Sequence, residues 1–70
     1  MLSEGERQVL QMLLKDHVLT RSEFQRAGVK NAELVLRKLM GQGFIAPIEA
    51  LGSSIAITQK GMRAANGGKE

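Results

Sequence analysis

Residues 19–43 read Leu19-Thr20-Arg21-Ser22-Glu23-Phe24-Gln25-Arg26-Ala27-Gly28-Val29-Lys30-Asn31-Ala32-Glu33-Leu34-Val35-Leu36-Arg37-Lys38-Leu39-Met40-Gly41-Gln42-Gly43. Thr20 and Glu23 have the Ser/Thr-x-x-Glu spacing of a capping box, in which each residue's side chain satisfies the other's free backbone N–H. Leu19 precedes the cap and Phe24 follows it by four, the spacing of a hydrophobic staple. A short helix is therefore expected from Arg21 to about residue 27, with Gly28 as its left-handed stop. Val29-Lys30-Asn31 makes a tight turn, and Asn31 is expected to cap a further helix that runs to about residue 42. Ala32, Val35, Leu36, Leu39 and Met40 recur by threes and fours, so they share one buried face. Gly41 and Gly43 end it.

The flanks extend the pattern. Ser3-Glu4-Gly5-Glu6 is a second capping box, and two acids in that turn suit the positive end of a helix. Leu2, Val9, Leu10, Leu13 and Leu14 then repeat at helical spacing, giving a first helix over about 4–15. Lys15 and His17 suit its negative end, and Val18-Leu19 is a short β-prone piece. Beyond Gly43, residues 44–48 are extended, and Pro47, with no N–H for a ladder, favours an edge. Residues 49–54 turn, and residues 55–58 return as a second strand, so the two form a hairpin. Thr58 can cap a last short helix through Gly61, Met62, Arg63, Ala64 and Ala65. Met12, Met40, Met62, Phe24 and Phe44 are expected in the core. The expected fold is α+β, mostly α: three principal helices and a small antiparallel hairpin, in one domain over 1–65, with 66–70 a frayed tail. A short helix, a turn containing glycine and a second helix also match the helix-turn-helix pattern.

Composition sets the bounds. Seventy residues make one domain, and one this short buries only about 60% of its unfolded surface. An apolar share of 43% is enough for a folded core. There is no cysteine, so no disulfide or thiolate metal site contributes, and a reducing compartment is suited. No apolar run approaches the roughly 20 residues that cross a bilayer. The first residues lack the basic start and apolar stretch of a signal peptide, so a cytoplasmic protein without membrane contact is expected. The charge is placed unevenly. Residues 21–42 hold five bases (Arg21, Arg26, Lys30, Arg37, Lys38) against two acids (Glu23, Glu33), while the rest of the chain holds five of each. The whole net charge of +3 thus falls in the middle third, where it favours a polyanion.

Two stretches carry a family likeness. Leu36-Arg37-Lys38-Leu39-Met40-Gly41-Gln42-Gly43-Phe44-Ile45 looks like a third helix running into a first wing strand. Ile55-Ala56-Ile57-Thr58-Gln59-Lys60-Gly61 is similar to a second wing strand ending in Leu/Ile-Thr-x-x-Gly. With the order helix, short strand, helix, turn, helix, strand, strand, residues 4–65 resemble the winged helix-turn-helix superfamily, in its bacterial regulator branches of the MarR and PadR type. The resemblance implies binding to double-stranded DNA, with the third helix in the major groove, the second across the backbone and the wing at the minor groove. A small transcription regulator without catalysis is implied.

On a helical wheel, the side of the third helix opposite its core carries Lys30, Glu33, Leu34, Arg37, Lys38 and Gly41. Arg37 can fork onto guanine or a phosphate, and Lys30 and Lys38 can pair with phosphates as point charges. Asn31 can donate to a base or a phosphate, and Arg21 and Arg26 can clamp the backbone. Glu33 can accept from cytosine, and Leu34 can touch a thymine methyl. The same face admits another occupant. Leu34 stands at its centre, Glu33 opposes phosphate, and the wing tip has one acid and no base. The alternative is therefore a protein-binding winged helix, an adaptor, inhibitor or subunit docking through the third helix and wing. A homodimer is possible but is not indicated by a dimerisation helix, as none is expected after Ala65. No enzyme, metal or cofactor is expected. One histidine cannot build a Ser-His-Asp set or a zinc site, and Glu4, Glu6 and Glu23 are explained by helix starts. The glycines form neither a phosphate loop nor a dinucleotide fingerprint.

Overall fold

The computed structural model describes residues 2–48 and 52–66. Its elements are α1 (Glu4–Asp16), β1 (Val18–Thr20), α2 (Arg21–Arg26), α3 (Ala32–Gly41), β2 (Ile45–Ile48), β3 (Ser54–Ile57) and α4 (Gln59–Ala65). The chain is α+β and mostly helical. The expected tip of the hairpin at 49–51 and the expected tail at 67–70 lie outside the described residues.

Both capping boxes form. At α1, the Ser3 N–H donates to Glu6 Oε1 at 2.8 Å, and the Glu6 N–H donates to Ser3 Oγ at 3.2 Å. At α2, Glu23 Oε1 accepts from the Thr20 N–H at 2.7 Å and from its hydroxyl at 3.1 Å. The Thr20 N–H, then the Thr20 hydroxyl, hold the Glu23 carboxyl below its ordinary value, and the Arg26 charge adds to them. Thr20 ends β1 and caps α2, so strand passes into helix without a loop. Leu19 and Phe24 of the expected staple are both buried. Helix α2 ends at Arg26, one residue before the expected end, and Gly28 takes the left-handed φ of 86°.

Helix α1 is the hub. Its Val9, Leu10 and Leu13 have no exposed surface, and the helix packs against α3, α4, β1 and β3. Around them close Phe24, Ala32, Val35, Leu36, Leu39, Ile45 and Ile55. The helix stops at His17, whose N–H still donates to the Leu13 carbonyl at 2.8 Å while its φ has turned to 67°. His17 is an exposed closing residue, and the next residue opens β1.

The expected hairpin is part of a three-stranded antiparallel sheet ordered β1-β3-β2. Ile45 faces Ile57 and Pro47 faces Ile55 across the β2–β3 pair, and Leu19 faces Ile55 on the other side of β3. The three-residue β1 gives the hairpin's inner strand a second partner. Pro47 lies on an outer strand, as its missing N–H requires.

The Thr-x-x-Gly spacing at the end of β3 has a direct mechanical cause. The Thr58 N–H donates to the Phe44 carbonyl at 3.0 Å. Its hydroxyl shares one proton between the carbonyls of Gly43 (2.7 Å) and Phe44 (2.9 Å), and accepts the Gly61 N–H at 3.0 Å. Threonine thus caps α4 and ties it to the start of β2. Gly61 is buried there, and a Cβ would land on the Phe44 carbonyl oxygen and lie 2.8 Å from Ile57 Cγ1. Gln11 Nε2 joins the far end of α4 to α1 through the Ala65 carbonyl, at 3.3 Å. One core expectation fails on α4. Met62 is 39% exposed, because Gly61 is the residue of α4 that seats against the sheet and Met62, one step of about 100° further round, turns outward. Met12, Met40 and Phe44 are only partly buried, packed at the core's edge.

Gly61→Ala is expected to cost about 1–3 kcal/mol, because a backbone carbonyl has nowhere to move. Thermal unfolding checks this. A melting point lowered by less than the roughly 4 °C expected per kcal/mol for so small a domain would contradict the account of Gly61.

Candidate nucleic-acid interface

Helix α3 divides its residues sharply. Ala32, Val35, Leu36 and Leu39 are buried, while Glu33, Leu34, Arg37 and Lys38 are exposed, as are Lys30 and Asn31 in the turn before it. The buried stripe determines the exposed one, since residues three and four apart share a face. Contact with α1 sets the height of the helix. Gly5 lies so near Val35 that a Cβ would come within 3.1 Å of Val35 Cγ2, and within 3.7 Å of the Lys30 carbonyl.

Seven of the eight expected site residues fall into two recesses on either side of α3. The larger, about 550 Å³, lies between α3 and the first turn of α1, and Lys30, Asn31, Leu34 and Lys38 line it together with Ser3, Glu4 and Gln8. The smaller, about 140 Å³, is lined by Arg21, Glu33, Arg37 and Met40. Arg21 is half-buried at the start of α2, and it shares this groove with Arg37. Arg26 lines neither recess; it is exposed at the end of α2, where its charge acts on Glu23. Among the described residues, Arg21, Arg26, Lys30, Arg37 and Lys38 are engaged in no ion pair. Each recess thus offers two cations; the larger also carries the exposed Glu4 and the buried Glu6, and the smaller carries the exposed Glu33.

Asn31 departs from its expected role. It occupies the cap position of α3, and its carbonyl accepts the Val35 N–H at 3.0 Å, but its side chain makes no capping bond. A side-chain cap needs an extended backbone at that residue, and Asn31 is left-handed, at φ 55° and ψ 47°. Asparagine stands here because it tolerates that conformation. Its amide is exposed beside Lys30 in the larger recess.

Sequence reading missed Ser3, Glu4 and Gln8 as neighbours of this face, having assigned the first two to the start of a helix. The signal was Gly5, an otherwise unfavourable residue in a helical first turn, which permits the close approach to α3. Among the described residues, no three His, Cys, Asp or Glu side chains gather as a metal site, no buried side-chain polar atom lacks a partner, and no helix is long and apolar enough to cross a membrane. Comparison with known proteins finds no matching family model, no matching curated protein and no matching solved structure.

The left-handed turn has a discriminating test. Serine caps as well as asparagine but adopts positive φ less readily. Asn31→Ser is therefore expected to cost about 1 kcal/mol, and Asn31→Gly nothing. Equal stability of the serine variant and the parent in urea unfolding would mean that the side chain caps the helix after all.

Proposed function

We propose that this chain is a winged helix-turn-helix protein that binds double-stranded DNA through α3, as a small transcription regulator without catalysis. The order of elements supports the fold, with α2 and α3 as the helix-turn-helix, β2 and β3 as the wing, and β1 completing the sheet. The observation that carries the function is the face of α3 opposite its core. Arg37 and Lys38 stand there exposed and, among the described residues, without ion pairs, Lys30 lies beyond one end, and Arg21 shares the groove of Arg37. A helix laid in the major groove with this face inward brings Arg37 to a guanine edge or a phosphate. Lys30 and Lys38 meet phosphates, Arg21 and Arg26 clamp the flanking backbone, and Asn31 supplies an amide.

A second reading is favoured by one observation. Leu34 is 51% exposed between these charges. A half-exposed leucine ringed by both signs of charge also fits a protein surface, its apolar anchor central and its rim polar.

The two separate by their response to salt. Binding of the full chain to a labelled generic duplex is expected to weaken steeply between about 50 and 200 mM salt, as phosphate neutralisation requires. Arg37→Ala with Lys38→Ala is expected to weaken it at least tenfold and to reduce the salt slope by about two. No retention of duplex at 50 mM salt would overturn the DNA reading. Association with a protein that is insensitive to salt and abolished by Leu34→Asp would establish the second.

A further inference from the structure

Glu33 has a structural explanation that does not exhaust its position. As an acid in the first turn of α3 it suits the positive end of that helix. The fold, however, also places it in one small recess with Arg21 and Arg37. At about 140 Å³ the recess is small on the scale of the roughly 8–10 Å screening length, so the three charges that line it act on a ligand together. Glu33 makes no ion pair with either arginine, so its carboxylate is not held away from whatever enters the recess.

We propose that Glu33 governs which duplex this face accepts, opposing generic phosphate binding and accepting a hydrogen bond from a cytosine amine where one is offered. The proposal rests on the DNA-binding reading above. Arg21 and Arg37 draw any duplex to the groove, and Glu33 cancels part of that field. Against most base edges its carboxylate loses hydration and meets other acceptors, which is unfavourable. Against cytosine it meets the N4 amine, the donor that base shows in the major groove. Met40, the apolar wall of the recess, offers no competing donor. The acid thus lowers affinity for every duplex and restores it for one class of sequence.

The test uses the full chain and Glu33→Gln, which keeps shape and loses charge at an exposed position. Both are titrated against a labelled duplex of randomised sequence over a range of salt, and both select from a randomised pool. The glutamine variant is expected to bind the random duplex more tightly at 50 mM salt, on the order of tenfold, with the salt slope steeper by about 0.9, one phosphate charge. The parent is expected to enrich cytosine at one position. The variant is expected to lose that preference by roughly tenfold and shift it toward adenine, which glutamine reads. If the parent binds duplex and the variant shows the same slope and base preference, differing only in melting temperature, Glu33 is no more than a helix-start acid. If the parent binds no duplex at 50 mM salt, this proposal falls together with the DNA reading.

Discussion

Burial of one face of α1 is the constraint on which the molecule rests. Val9, Leu10 and Leu13 are fully enclosed, and α3, α4 and two of the three strands close on that helix. Each such side chain contributes about 1.5–3 kcal/mol when removed from water. In a chain of seventy residues without a disulfide, that is a large share of all the stability available. The elements around it are short, and neither a six-residue α2 nor a three-residue β1 would persist alone. They hold because the Thr20–Glu23 capping box fixes the start of α2 while Leu19 and Phe24 are buried against the same centre.

The outward charge of α3 follows from that centre. Once Val35, Leu36 and Leu39 are buried, the helical period leaves Arg37 and Lys38 nowhere to go but into solvent. The seating of α1 through Gly5 then brings Glu4 toward Lys30 and Lys38, while the start of α2 brings Arg21 to Arg37. The surface that results is mixed rather than uniformly basic. Two pairs of cations, one beside Glu4 and Glu6 and the other beside Glu33, flank a half-exposed leucine. Such a surface attracts a polyanion less strongly than its lysines and arginines alone would suggest, and distinguishes between ligands more sharply.

What could be read in the sequence was local. The boxes at Ser3–Glu6 and Thr20–Glu23 and the stripe from Ala32 to Leu39 are relations over three or four residues, and they govern where helices start and which way they face. Pro47 likewise announced an outer strand. What could not be read was brought about by distance along the chain. Val18 pairs with Ala56 only because α1 and α2 place β1 beside the hairpin. Glu4 joins the recess of Lys30 because α1 crosses α3 there. Asn31 had the composition of a cap, but the path from Gly28 to Ala32 needed a left-handed residue, and the path decided its conformation. Met62 looked like core material by type, yet in so short a helix Gly61 had already taken the contact with the sheet.

The claim that α3 presents the working surface, while the sheet and α1 support it, is tested most directly by amide chemical shifts. Full-length protein labelled with nitrogen-15 would be titrated with a short duplex and each backbone signal followed. The account predicts that displaced signals gather at Arg21 and from Lys30 to Lys38, leaving Val9, Leu10 and Leu13 in place. Displacements centred on the outer row of the sheet, Val18, Ala56 and Ala46, or no displacement at any residue, would contradict it.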